Sequence, residues 1–207
     1  MNTIFIEAEK RDTAEQYFLN ALIKKFFPEA EYEFIYMRGV ANLFNEVNLN
    51  LLRSKTAEGI KCLVILDADT LEKGWGYAKR KEDVEKNQRR QGVDFPFFLY
   101  PDNVSDGDVE HLMENLARQD LHSTFFNCFR HYEMCIAGDV DEQGQPRYNI
   151  PDLKGKLHTY MSSQKLSNAQ RRRLGGGDWL FDDPNYWDLD NRAVQPLVAF
   201  LDAHLDK

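Results

Sequence analysis

The chain switches between two hydrophobic periods. Residues 3–7, Thr-Ile-Phe-Ile-Glu, read as a short strand ending on a carboxylate. Asp12 or Thr13 is placed to cap a helix in which Ala14, Tyr17, Phe18, Ala21, Leu22 and Phe26 recur at helical spacing, and Pro28 stops it. Residues 32–37 predict a second strand, and Leu43, Val47, Leu51 and Leu52 predict a helix over 41–53. After Gly59 comes an unbroken apolar run, Cys62-Leu63-Val64-Ile65-Leu66, which fits a strand buried on both faces and ends in Asp67-Ala68-Asp69. A charged helix at about 77–91, a strand at 95–101 and a turn at 102–107 follow. Val109, Leu112, Met113 and Leu116 set the stripe of another helix, with Asp108 at its cap or in its first turn. Residues 121–136 predict an aromatic-rich helix, on which Cys128 and Cys135 are expected to pack inward.

This order of strands and helices predicts an α/β fold with a mostly parallel, Rossmann-like sheet flanked by helices. The texture changes at Gly138. Gly144, Pro146 and Pro151 mark loops, then a short helix near 154–163, an Arg-rich stretch, Gly175-Gly176-Gly177 and an aromatic, acidic loop around Trp179–Asp190. Leu197, Val198, Leu201 and Leu205 stripe a final amphipathic helix. The expected organisation is an α/β core over residues 1–137 and an α-rich extension over 138–207 that packs on it, with Trp179, Tyr186 and Trp187 as the packing anchors.

Composition narrows the function classes. In 207 residues, 14 Phe, 9 Tyr and 3 Trp exclude a disordered chain. No apolar run approaches the ~18–20 residues that span a bilayer, and the first residues do not resemble a secretory signal, so no membrane partner is expected. Cys62, Cys128 and Cys135 contain no C-x-x-C, which argues against a disulfide scaffold or a cysteine zinc site and fits a reducing cytoplasm. The net charge of −8 would repel a polyanion if spread evenly. It is not even: Lys79, Arg80, Lys81, Lys86, Arg89 and Arg90 outnumber the acids between them, and Arg171, Arg172 and Arg173 form a second basic knot. The first run is a candidate phosphate track, the alternative being a solvated helix face.

Ligand chemistry in parallel α/β sheets gathers at the carboxyl ends of the strands. Three such ends carry acids here: Glu7, then Asp67 with Asp69, then the region from Asp102 to Glu110. Converging carboxylates repel, so one must hold a proton or a hard cation must join them. Mg²⁺ prefers oxygen ligands and keeps waters that a phosphate can replace, so the pattern points to metal-assisted phosphoryl chemistry.

Ile4-Phe5-Ile6-Glu7, Leu63-Val64-Ile65-Leu66-Asp67-Ala68-Asp69, Phe97-Phe98-Leu99-Tyr100-Pro101-Asp102-Asn103 and Gly107-Asp108-Val109-Glu110-His111-Leu112 together resemble a Toprim domain, the catalytic fold shared by topoisomerases, bacterial primases and overcoming-lysogenization-defect nucleases. The Pro-Asp-Asn…Gly-x-x-Glu-x-Leu element, with Lys156…Tyr160 and Tyr186-Trp187-Asp188, resembles more closely a small stand-alone Toprim-like family of bacteria. The resemblance implies that Glu7 is a general acid/base and metal ligand, that Asp67 and Asp69 are the Asp-x-Asp ligands, and that Glu110 and Asp108 match the acids that bind a second ion in nuclease members. The family glutamate is usually followed by Gly, with an Asp four residues on, whereas here Ala8 follows and Asp12 comes five on.

Three functions follow as expectations. The first is a Mg²⁺- or Mn²⁺-dependent nuclease acting on DNA or RNA, with Glu7, Asp67 and Asp69 catalytic, Glu110 and Asp108 as further ligands, and Lys79, Arg80, Lys81, Arg89 and Arg90 tracking the polymer. The second, motivated by Ala8 and Asp12, is a degenerate Toprim module that binds nucleic acid, nucleotide, a partner protein or a second copy without turnover. The third is an Asp-x-Asp nucleotide-sugar transferase, to which Val64–Asp69 also bears a likeness.

Overall fold

The computed structural model describes residues 1–206. Strand β1 (Asn2–Ile6) leads to helix α1 (Ala14–Phe26), β2 (Tyr32–Tyr36), α2 (Glu46–Ala57), β3 (Lys61–Asp67), α3 (Tyr77–Gln91), β4 (Phe97–Tyr100), α4 (Val109–Leu116) and α5 (Ser123–Ala137). Helices α6 (Leu153–Ser162), α7 (Asn168–Gly175) and α8 (Gln195–His204) complete the chain. The sheet has the order β2-β1-β3-β4, and all three pairings are parallel. This is an α/β, Rossmann-like fold with a C-terminal helical part. Among the described residues, no helix is long and apolar enough to cross a membrane.

Both central strands are shut off from solvent, as their unbroken apolar runs predict: Ile4, Phe5 and Ile6, and Leu63 through Leu66, are fully buried. Alternation then sorts their side chains between two cores. Ile4, Ile6, Leu63, Ile65, Phe98 and Tyr100 meet α1 and α4 on one face, while Phe5, Val64, Leu66 and Leu99 meet Leu52 of α2 and Val84 of α3 on the other.

The extension belongs to the first of these cores. Leu157, Tyr160, Trp179, Phe181, Trp187, Leu197 and Leu201 pack in the same cluster as Ile4 and Phe18. Trp187 is 1% exposed, and its indole N–H donates to the Trp179 carbonyl at 2.7 Å, so the aromatic loop is anchored as expected. Lys156, paired with Glu114 at 2.6 Å, ties α6 to α4, and the Tyr160 hydroxyl donates to the Tyr186 carbonyl at 3.1 Å. At the other end of the sheet, Asp206 and Asn2 exchange two hydrogen bonds, which stitch the last turn to the first strand.

Two local expectations are corrected, and one stretch left unassigned takes a definite form. The helix expected over 41–53 begins at Glu46: residues 40–42 form a 3₁₀ turn, and Asn45 caps α2 by accepting from the Asn48 N–H at 2.8 Å. Val47 consequently faces solvent at 74% exposure, and Leu49 takes the inward position. The Arg-rich stretch is itself a helix, α7, opened by a capping box between Ser167 and Gln170. On α5 the buried positions are Phe126 and Phe129, and both Cys128 and Cys135 are exposed. Two bulky rings claim the inner face, and the small thiols fall on the other.

Gly177 marks the closest approach of the extension to the sheet's carboxyl end. Its φ is +89°, and a Cβ there would clash with the Asp12 carbonyl oxygen. Gly177→Ala is expected to cost about 3 kcal/mol or more, a left-handed penalty of about 1–2 kcal/mol plus a backbone clash. Gly144→Ala, at φ +76° with open space around it, is expected to cost only about 1 kcal/mol. Urea unfolding of both variants measures the difference.

Candidate functional site

Parallel pairing of β1 with β3 places Ile6 opposite Ile65, so Glu7 follows level with Leu66 and Asp67 lies one residue further along the neighbouring strand. The Glu7 carboxylate spans the gap: Oε2 accepts from the Asp67 N–H at 3.4 Å and Oε1 from the Val40 N–H at 3.2 Å. Those bonds favour its charge, but burial outweighs them and lifts its pKa. Asp67 Oδ1 accepts from the Val109 N–H at 2.9 Å, the first amide of α4, which is a favourable place for an anion. Burial, with Glu7, Glu15, Glu110 and Asp108 all nearby, still drives the Asp67 pKa well above the ordinary carboxylate range.

Glu15 is the site residue that the sequence reading missed. It lies in the first turn of α1, behind the Thr13 cap. Its Oε1 is buried with no hydrogen-bond partner, and burial next to Glu7 and Glu110 pushes its pKa up to about 8. A signal was present. Glu15 precedes the buried Phe18, Leu19 and Leu22 by three, four and seven residues, so it occupies a core position of the helical stripe. An acid on that stripe must end up either against the core or against a partner.

The two acids of Asp-x-Asp part company. Asp67 continues the face of Leu63 and Ile65, toward α1 and α4. Asp69, at φ +60°, is held by Arg80 of α3 at 2.6 Å and by Lys73 at 3.3 Å, and both Asp69 and Arg80 act on the charge of Glu7. Arg80 is 2% exposed and its guanidinium lies 3.8 Å from the centre of the Trp75 ring. Asp108 is the N-cap of α4, accepting from the His111 N–H at 3.3 Å and lying 2.6 Å from its Nδ1, while Lys73 reaches its other oxygen at 3.3 Å. Glu110 faces the buried acids and pairs with the exposed Lys154 at 3.4 Å. Among the described residues, no three His, Cys, Asp or Glu side chains are gathered as a ready-made metal cage.

The basic run on α3 does not form one track. Arg80 is buried in its pair with Asp69, which corrects its expected role as a polymer contact. Lys79 reaches back to the Gly74 carbonyl and covers Trp75, and Lys81 lies 3.9 Å from Glu85. Arg89 and Arg90 are exposed in the last turn, about 14 Å further along the helix axis from Arg80 and away from the carboxyl edge. A cleft of 470 Å³ on the far side of α1 is lined by Lys24, Lys25, Arg118, Asp182 and Asp190, and contains none of the site acids.

Residues 12–206 match the family described as "Protein of unknown function (DUF3226)". The chain belongs to that family. No curated protein and no solved structure matches it. The DUF3226 match runs through the extension and through the α/β core from the turn before α1 onward, while β1 and Glu7 precede it.

Two outcomes follow from the burial of these acids. Glu15 folds with its pKa raised from 4.5 to about 8, so its contribution to stability is full below pH 4.5 and is lost as pH rises toward 8. In chelator, Tm is expected to fall across this window, and Glu15→Gln is expected to flatten the fall and raise Tm by several degrees at pH 8. Glu7 and Asp67 shift in the same direction and leave a residual slope. Asp69→Ala strands the buried Arg80 charge and is expected to cost about 3–5 kcal/mol, with Arg80→Met recovering most of it in the double variant. Denaturant midpoints of the single and double variants test the pair.

Proposed function

We propose that this protein is a divalent-cation-dependent phosphodiesterase of the Toprim type, acting on nucleic acid. The observation that carries the reading is the Glu7 carboxylate reaching the Asp67 N–H across adjacent parallel strands, in a buried setting where Glu15 and Glu110 add further negative charge around Asp67. Such an arrangement is relieved by protonation or by a doubly charged ion. The donor set is all oxygen, which suits Mg²⁺ or Mn²⁺, and the partnerless Glu15 Oε1 and Tyr100 hydroxyl leave polar capacity unused at the same place. Glu7, Asp67 and Glu110 would hold the ion. When bound it would polarise a phosphoryl oxygen and lower the pKa of a coordinated water.

The protein's own groups supply the rest. Glu7, raised in pKa by burial, is suited to exchange a proton with water or with a leaving oxygen. Lys73 and Lys154 stand at the rim with side chains 56% and 66% exposed, paired at 3.3–3.4 Å to Asp69, Asp108 and Glu110, and can turn onto a phosphate. Lys10, Arg11 and Arg38 are exposed on loops at the same end of the sheet, so the cationic rim survives the loss of Arg80 from the expected track.

A second reading has its own support. Asp69 is bound to Arg80 and Lys73, and the acids do not form a ready cage, which favours a module that binds nucleic acid or nucleotide without cleaving it. One experiment separates the two. DNA and RNA, single- and double-stranded, are incubated with the protein in Mg²⁺, in Mn²⁺ and in chelator. Cation-dependent hydrolysis that falls at least ~100-fold in Asp67→Asn is the expected result. Cation and polymer binding with no hydrolysis would establish the binding module instead.

A further inference from the structure

We propose that β2, the open lateral strand of the sheet, is the contact through which two copies of this chain pair, antiparallel and about a two-fold axis that passes through Phe34. The interface is independent of the cation reading above.

The backbone of β2 is satisfied on one side only. Its single neighbour in the sheet is β1. The Asn2 N–H donates to the Glu31 carbonyl at 2.8 Å and the Met37 N–H to the Ile6 carbonyl at 3.0 Å, so the odd-numbered residues of this stretch turn their amides and carbonyls toward β1. Tyr32, Phe34 and Tyr36 turn theirs the other way, and among the described residues nothing bonds them. The opposite edge is guarded. On β4 the outward amide of Leu99 donates to Asn103 Oδ1 at 3.2 Å, the Leu99 carbonyl accepts from the Asn103 N–H at 2.8 Å, and Pro96 and Pro101 bracket the strand. β2 has five residues against four, holds no proline, and every one of its side chains is only partly buried. An open edge of aromatic and β-branched residues is a template for a further strand.

The sequence of β2 selects a second copy as the source of that strand. Tyr-Glu-Phe-Ile-Tyr has the same aromatic spacing in both directions. With Phe34 on the axis, Phe34 meets the partner's Phe34 and Tyr32 meets the partner's Tyr36, so each outward amide and carbonyl finds a mate. In that register Glu33 lies opposite the partner's Ile35, and like charges do not oppose one another. The ends are complementary as well. Glu31, exposed just before β2, is brought to the partner's Arg38, exposed just after it. The flank also offers apolar surface. Val47 is 74% exposed and stands in the same row of α2 as Leu51 and Lys55, and Lys55 pairs with Glu33 at 2.5 Å, which puts that row on the β2 side of α2. Pairing of this kind closes on itself: the joined sheet ends at both sides on a guarded β4, giving a dimer and not a fibre.

Mass and amide exchange of the intact chain test the interface. Light scattering after size exclusion is expected to give twice the chain mass at about 50 µM, for a dissociation constant at or below ~10 µM. In that dimer the amides of Tyr32, Phe34 and Tyr36 are expected to be protected from hydrogen exchange. Phe34→Pro removes an N–H that bonds nothing within the chain, at a position where an edge strand tolerates proline, and is expected to raise the dissociation constant at least ~10-fold. Glu31→Arg, a surface change, is expected to weaken the dimer at least ~3-fold at low salt. Adding Arg38→Glu to the same chain is expected to restore it, because the two positions meet only across the axis. The exchange and the charge reversal decide the matter even if Phe34→Pro fails to fold. A wild-type chain that stays monomeric at about 50 µM, leaving the edge to a strand of another protein, would overturn the proposal. So would a dimer in which the three amides exchange freely, or a charge-reversed double variant no tighter than Glu31→Arg.

Discussion

Like charge concentrated at one end of two adjacent parallel strands is the constraint around which this molecule is organised. β1 and β3 pair in parallel; Glu7 follows the last residue of β1, and Asp67 is the last residue of β3. Ile4 through Ile6 and Leu63 through Leu66 are fully buried, so neither acid can escape to solvent by moving with its backbone. Backbone amides of Val40, Asp67 and Val109 donate to the two carboxylates and offset part of the cost, but burial outweighs them in both residues. Helices α1 and α4 then bring up Glu15 and Glu110, whose charges add to the repulsion on Asp67. Stability alone would not select such an arrangement, because apolar side chains of similar volume would fill the same space at lower cost.

The sheet's edge also decides how the Asp-x-Asp pair is used. Two residues apart on a strand, both acids would share a face. Beyond Asp67, however, the chain leaves the strand: Asp69 takes a left-handed conformation, its carbonyl accepts from Gly107, and its carboxylate neutralises Arg80. That ion pair anchors α3, with Trp75 covering the guanidinium. One acid of the motif therefore faces the candidate centre, while the other secures the helix beside it.

The extension contributes walls rather than a separate unit. Its aromatic loop and α6 fill the same core that underlies α1 and α4, and Lys154 reaches Glu110 from the start of α6. Gly177 presses its backbone against Asp12, fixing the loop between Glu7 and Glu15. The two acids thus hold their separation through contacts made more than 150 residues away in sequence.

The hydrophobic pattern alone determined the parallel α/β architecture, because strands buried on both faces need unbroken apolar runs and their helices need a 3.6-residue stripe. It also placed Glu7 and Asp67 at strand ends, since a strand stops where burial stops. Spacing does not say which of two adjacent stripes faces the core; the caps and bulky rings of the folded chain decide that, and they leave Val47, Cys128 and Cys135 exposed. The basic run on α3 showed its charge but not its direction, and only packing revealed that Arg80 points inward while Arg89 and Arg90 lie at the far end of the helix. Tertiary structure likewise chose Glu15, because an acid in an apolar stripe becomes a site residue only when another element brings more acids to meet it. Sequence is local and sets each residue's exit from its own element. That Glu7, Glu15 and Glu110, from one strand end and two helices, act on the charge of Asp67 is a property of the register and crossings between elements, which no window along the chain contains.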